Sequence, residues 1–262
     1  MMARPQAVLW DVDGTLAETE RDGHRVAFNL AFEACSVPWR WDEEHYGELL
    51  RITGGRERLL HDMTLRKDAP PLAAERQALA RAIHDRKNAF YASLINEGHI
   101  ALRGGVRELI EECLQRGVRM ALTTTTSRSN VEALLCAHFG PHWHDSFAAV
   151  VCGEDVSVKK PDPEVYFQAL RRLAVSPNDA VAIEDSPGGV AAARLAEVPV
   201  VVTLSAYFAT ATIEGAIAIG PGLHDRRGWR PALRASASAA ERVGLDDIQA
   251  WCAQMETVSQ FG

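Results

Sequence analysis

Residues 7–20, "AVLWDVDGTLAETE", carry four apolar side chains straight into Asp11-Val12-Asp13, after which Gly14-Thr15 turns the chain. A strand projects alternate side chains to one side, so Asp11 and Asp13 are expected to point together and repel. Two carboxylates at a buried strand end need a cation beside them, or a proton on one of the two. The kind of sheet that receives this strand therefore decides both the fold and the chemistry.

From about Gly104 onward, helical and strand patterns alternate. "GGVRELIEECLQRG" sets Val106, Leu109, Ile110, Cys113 and Leu114 on one stripe and stops at Gly117. "VRMALT", "FAAVVC", "DAVAIED" and "PVVVTL" have the composition of buried strands, and "GAIAIG" that of a short edge strand. Between them lie helices: "SRSNVEALLCAHFG", with Ser129 or Asn130 near its cap, "DPEVYFQALRRLA" with Pro163 in its first turn, and "SPGGVAAARLAEV" from Pro187. Parallel strands need crossover connections, so this alternation predicts a Rossmann-like parallel sheet with helices on both faces, an α/β fold.

Residues 18 to about 98 hold no convincing strand. They offer helical stretches such as "DGHRVAFNLAFEAC", "EEHYGELLR" and "AERQALARAIHDRKNAFYASLI". An inserted all-helical cap is the simplest reading, with residues 15–20 and 96–103 as its hinges. The expected division is a catalytic core of 1–17 and 99–262 and a cap of 18–98. After Leu223 the chain is rich in Arg, Ala and Ser until "LDDIQAWCAQME", which predicts a final helix begun by Asp246 or Asp247.

The 262 residues are 47% hydrophobic and 24% charged, an ordinary globular balance. A net charge of −7 offers no broad basic surface for nucleic acid or an anionic membrane, so an anionic ligand must be held by a few placed cations. The five cysteines, Cys35, Cys113, Cys136, Cys152 and Cys252, are scattered, without C-x-x-C, and are expected to be small buried apolar residues. No signal-peptide pattern or membrane-length apolar run is seen, and the expectation is a cytoplasmic monomer. The "HFGPHWHD" histidines, His138, His142 and His144, fit no zinc spacing. Trp39, Trp41, Trp229 and Trp251 are expected to pack.

Ligands of open α/β sheets bind beyond the carboxyl ends of the strands. Taken in order, those ends are Asp11 and Asp13, Thr124-Thr125, the loop "VSVKKPDP" and Glu184-Asp185. Several carboxylates in one crevice call for a hard divalent cation such as Mg²⁺, and a lysine and a threonine beside it suit the oxygens of a phosphoryl group. Glu184-Asp185 would also serve to cap the helix at Pro187.

"DVDGT", a hydroxyl residue after the next strand, Lys-Pro and "EDS" resemble, in order, the four motifs of the haloacid dehalogenase-like phosphohydrolases. The resemblance spans Ala7 to about Leu204. The cap position is similar to the β-phosphoglucomutase-like branch, and "TGGRERL" (53–59) and "KKPDPEVY" look closest to CbbY-type sugar-bisphosphate phosphatases. That resemblance implies Asp11 as nucleophile, forming an aspartyl-phosphate, and Asp13 as general acid and base, its pKa raised by the neighbouring carboxylate. It implies Mg²⁺ on Asp11, the Asp13 carbonyl and Asp185, with Glu184 in support, and Thr124 and Lys160 clamping the phosphoryl group. Substrate contacts are expected from Gly54, Gly55, Arg56 and Thr125, with Glu18 and His24 meeting substrate or bracing the acid–base residue; Arg56 is expected on a second phosphate. Lys159 and Arg58 receive no role. The implied activity is Mg²⁺-dependent hydrolysis of a small phosphorylated sugar, xylulose 1,5-bisphosphate, with a phosphomutase or a non-catalytic sugar-phosphate-binding regulator as alternatives.

Overall fold

A computed structural model describes residues 5–233 and 241–259, with the side chains of 256–259 left out. Six parallel strands form one sheet: β1 (Ala7–Trp10), β2 (Arg119–Thr123), β3 (Ala149–Val151), β4 (Ala180–Glu184), β5 (Val200–Thr203) and β6 (Ala218–Gly220). Their spatial order is β3-β2-β1-β4-β5-β6, so β1 lies inside the sheet and the order reverses between β1 and β4. That reversal opens a crevice at the strands' carboxyl ends, where Asp11 and Glu184-Asp185 sit.

Both faces of the sheet are covered, as the apolar runs predicted. Val8 and Trp10 of β1 join Met120, Leu122, Val181 and Ile183 on one face, packed by α5 (Val106–Gln115), α6 (Arg128–Phe139) and α9 (Leu245–Ser259). Ala7 and Leu9 face the other way, with Ala121, Ala182 and Val202, under α7 (Glu164–Leu173) and α8 (Pro187–Leu195). Every side chain of β1 is thus buried by period-2 alternation between two cores.

Between β1 and α5 the described chain is helical, an inserted all-helical cap. A wide turn over 20–24 runs into α1 (Arg25–Ala34), followed by α2 (Glu43–Leu49), α3 (Gly55–Leu65) and α4 (Ala73–Asn96). The cap has its own core, in which Trp41 packs on Phe28, Phe32 and Tyr46 at ring centroid distances of 4.7, 5.0 and 5.6 Å. Its two connections to the sheet lie side by side, Ala17 bridging Leu102.

Several expectations are corrected. Leu114 is 48% exposed, because α5 turns it past the edge of the apolar stripe. Ser127 stands at the α6 N-cap, two residues before the expected site. Gly55–Leu65, not among the helical stretches singled out from the sequence, is a full helix. Cys113, Cys152 and Cys252 are buried, but Cys35 and Cys136 are half-buried. The four tryptophans pack as expected, Trp229 against Trp251 at 4.6 Å. His138 meets the Ile100 carbonyl, and His144 pairs with Glu132. The edge strand β6 and the final helix are present; residues 234–240 of the Arg-, Ala- and Ser-rich stretch lie outside the described residues. Among the described residues no helix is long and apolar enough to cross a membrane.

The cap core sets a stability test. Trp41 is fully buried and its indole N–H donates to Asp62 at 2.8 Å, so Trp41→Ala should lower unfolding free energy by about 3–5 kcal/mol in urea titrations. Leu114→Ser, at an exposed position, should change it by no more than about 0.5 kcal/mol.

Candidate active site

The sheet register builds the centre of the site. Trp10 pairs with Ile183 across β1 and β4, and Asp11 donates its N–H to the Ile183 carbonyl at 3.0 Å. Asp11 therefore leaves β1 level with Glu184. Asp11, Glu184 and Asp185 are all buried, and each offers a carboxylate oxygen within 4.8 Å of the others. Gly14 follows in the left-handed region at φ +84°, and a Cβ there would collide with the Asp185 carboxylate. Only glycine lets the turn pass that close.

One ammonium answers these carboxylates. Lys160, 5% exposed, donates to Asp11 at 2.7 Å and to Glu184 at 2.6 Å. Tyr166 of α7 donates to the same Glu184 oxygen at 2.5 Å, while Glu184 Oε2 is buried without a partner. Burial pulls the Lys160 ammonium down, but Asp11 and Glu184 more than offset this and hold it above its usual range. Three buried carboxylates against one ammonium leave negative charge in excess. Burial accordingly pushes Asp11 up to about 7, against the pull of Lys160 and with a further push from Glu184. Asp185 also rises well above the ordinary range, through burial and the charges of Asp11 and Glu184, despite the 2.6 Å hydrogen bond donated by Ser205. An all-oxygen donor set with surplus negative charge fits a hard divalent cation.

Asp13 belongs to a different network. It accepts from Thr19 at 2.6 Å and from His24 Nε2 at 2.9 Å, and the His24 ring stacks on Tyr91 at 4.3 Å. Burial pushes Asp13 up, but the His24 charge, the His24 and Thr19 hydrogen bonds and the Lys87 ammonium outweigh it. Its carboxyl lies well below the usual range. This reverses the expectation that a neighbouring carboxylate raises Asp13. The raised member of the pair is Asp11, because Asp13 turns toward the cap and its cations.

Above the strand ends, sheet and cap enclose a cavity of about 910 Å³. Asp11, Asp13, His24, Gly54, Gly55, Arg56, Thr125, Lys160 and Asp185 line it, drawing most of the expected residues together. Thr124 is buried just behind Thr125, and its hydroxyl accepts from the Thr126 N–H at 3.2 Å. Glu184 is wholly buried behind Lys160. Glu18 faces away from the cavity, its carboxylate 3.5 Å from Arg103 and accepting from the Ala206 N–H. Its neighbour in sequence Glu20 does line the cavity, accepting from Tyr46 at 2.5 Å and pairing with Arg58 at 3.4 Å.

Sequence reasoning did not assign Glu20, Arg58 or Lys87. Lys87 left a trace: it interrupts the stripe Ile83, Tyr91, Ile95 of α4 at helical spacing, and it is 3% exposed. Burial lowers its pKa to about 8 against the pull of Asp13 and Glu20. A lysine in an apolar stripe is the readable sign of a buried charge with a task.

Residues 5–197 match the family model of the haloacid dehalogenase-like hydrolases. The chain belongs to that hydrolase family. It is 38% identical over 247 residues to the plasmid-encoded protein CbbY of Cupriavidus necator, covering 94% of this chain and 96% of that one. It is 31% identical to a phosphorylated carbohydrates phosphatase of Thermotoga maritima, over 73% and 81% of the two chains. Among solved structures, a CbbY variant from Rhodobacter sphaeroides in complex with xylulose 1,5-bisphosphate superposes with a TM-score of 0.79 at 42% identity, covering 85% of this chain and 96% of the other. The expected enzyme class, a phosphatase of this hydrolase family, agrees with these relatives.

The Asp11 shift has a measurable consequence. An acid whose folded pKa is raised keeps its proton where the unfolded chain has lost it, so stability falls as pH rises from about 4 to about 7. In chelator-treated protein, Asp11→Asn should flatten this decline in urea midpoints, and wild type in excess Mg²⁺ should recover stability toward pH 7. An unchanged slope in Asp11→Asn would reject the assignment of this charge conflict to Asp11.

Proposed function

We propose that the protein is a Mg²⁺-dependent phosphatase of small phosphorylated sugars, with a ketopentose 1,5-bisphosphate, xylulose 1,5-bisphosphate, as substrate. The observation that carries this reading is Asp11, buried beside one lysine and two further carboxylates, at the floor of a cavity whose cap side carries cations. A hydrolase that only bound its ligand would have no use for a nucleophile and an acid–base candidate two residues apart.

In this reading the Asp11 carboxylate attacks phosphorus and becomes an aspartyl-phosphate, and the sugar alkoxide leaves. Asp13, tied to His24 and Thr19, delivers a proton to the leaving oxygen and later takes one from water. Because Asp13 begins as the anion, its acid role needs the substrate's negative charge beside it to lift its pKa. Lys160 fixes Asp11 and faces the transferring oxygens, and Thr125 lines the wall next to them. Mg²⁺ would be held by the Asp11 and Asp185 side chains and the Asp13 carbonyl, with Glu184 in support, and would supply neutralisation of phosphoryl charge. On the cap, Arg56 at the start of α3 lines the cavity and is placed for a second, non-transferred phosphate. The phosphorylated sugar bound by the Rhodobacter sphaeroides relative supports the substrate class. The chain regions 1–17 with 99–262 and 18–98 serve as core and cap in this reading.

Phosphate release from a panel of sugar mono- and bisphosphates tests it. Activity should vanish in EDTA and return with Mg²⁺, and Asp11→Asn should lower kcat by at least about 10³-fold. Turnover that survives either change rejects the mechanism. Arg56→Ala should raise KM for a bisphosphate by about tenfold or more while changing the matching monophosphate little; equal losses on both would remove Arg56 from the second phosphate. Label from the substrate should appear in free phosphate, and its transfer to a second sugar position would instead establish a mutase.

A further inference from the structure

The adjacent lysines 159 and 160 reach in different directions. Lys160 turns inward to Asp11 and Glu184, whereas Lys159 crosses the cavity mouth and donates to Glu57 of α3 at 2.7 Å. Arg25 with Glu43, His45 with Asp62, Arg58 with Glu20 and Arg66 with Asp62 are ion pairs within the cap, and His24 with Asp13 and Glu18 with Arg103 run from the cap to the chain at its two connections. Lys159–Glu57 joins the cap to the sheet's own loop. Gly54, at φ +97°, lies so close that a Cβ would collide with the Glu57 carboxylate and crowd the Lys159 ammonium. The "TGGRERL" backbone is therefore seated on this pair, with Arg56 in the residue before Glu57.

We infer that the Lys159–Glu57 pair is a latch that holds the cap closed over the cavity, and that Lys159 is a positioning residue rather than a ligand of the transferred phosphate. This rests on the phosphatase reading only for the kinetic part of its test. The side chains are 24% and 39% exposed, so the pair is partly solvated and its strength is modest. Such a contact biases an open–closed equilibrium by at most about fivefold. That is enough to favour closure around a substrate and weak enough to release product at each turnover. The rings of Tyr46 and Tyr207, 5.8 Å apart, add an aromatic cap–core contact that salt does not weaken, and the His24–Asp13 pair is buried, so added salt acts mainly on the partly solvated Lys159–Glu57 pair. Arg56 would come to a second phosphate only as its neighbour Glu57 docks on Lys159, which couples the substrate-reading segment to the loop that holds the nucleophile's lysine.

Amide hydrogen exchange followed by mass spectrometry tests the latch without any substrate. Lys159→Met and Glu57→Gln should each speed exchange across residues 53–58 by about three- to fivefold in low salt, and the reversed pair Lys159→Glu/Glu57→Lys should bring it back to within about twofold of wild type. Raising salt should bring wild type toward the single variants. With a sugar bisphosphate, Lys159→Met should lower kcat/KM by about threefold at low salt, and by less at high salt. Unchanged exchange in both single variants overturns the latch. Exchange that the reversed pair fails to restore, together with a loss of activity of about a hundredfold or more in Lys159→Met, would make Lys159 a phosphate ligand instead. Absence of phosphate release by the wild type would defeat the phosphatase reading and leave the exchange result intact.

Discussion

The structure depends on one buried ammonium. Lys160 stands between Asp11 and Glu184 at hydrogen-bond distance from both, with Asp185 close behind. Ion pairs of this kind are costly to desolvate and hold only where the geometry is supplied from outside. Here it is supplied three ways. Two adjacent parallel strands in register deliver the carboxylates side by side, the loop before α7 delivers the lysine, and Tyr166 of α7 fixes the Glu184 oxygen that the lysine shares. The remaining negative charge suits a hard cation, and it stands at the end of a sheet otherwise built of Val, Ile, Leu and Ala.

Across the cavity the cap presents the complementary charge. Lys87 and Arg58 are buried among Phe28, Tyr46 and Tyr91, whose ring faces favour cations, and Arg51 and Arg56 line the mouth. Glu20 keeps part of this charge in check through Tyr46 and Arg58. The cavity thus has an acidic floor and a basic ceiling, an arrangement that neither half possesses alone, and in the proposed function it takes a ligand anionic at both ends.

Much of this was legible because the decisive residues lie at strand ends, and strand ends are marked locally: an apolar run stops and a charged or turn-forming residue follows. Asp11, Thr124-Thr125, Lys160 and Glu184-Asp185 were found that way. The cap was harder. Glu18 is the first acid after Asp11 and Asp13 in the sequence, but the wide turn over 20–24 carries Glu20 into the cavity and leaves Glu18 on Arg103. Helix α3 was hidden by Gly54-Gly55, which signal a loop and in fact begin a helix. Arg58 looks like a surface charge in the sequence and is buried only when the cap helices close around it, whereas Lys87 is marked by its place in the apolar stripe of α4.

The amino-acid order alone determined the parallel α/β sheet, the helical insertion after the first strand and the line of polar residues at the strand ends, because hydrophobic periodicity and turn chemistry act over a few residues. Tertiary structure alone decided which carboxylate would be raised and which lowered. Asp11 and Asp13 are two residues apart in one segment, yet one is packed against Glu184 and Asp185 and the other against His24, Thr19 and Lys87. Protonation follows the field at the carboxyl, and for Asp11 that field is set by groups as far along the chain as Glu184, 173 positions away, brought near only by the fold.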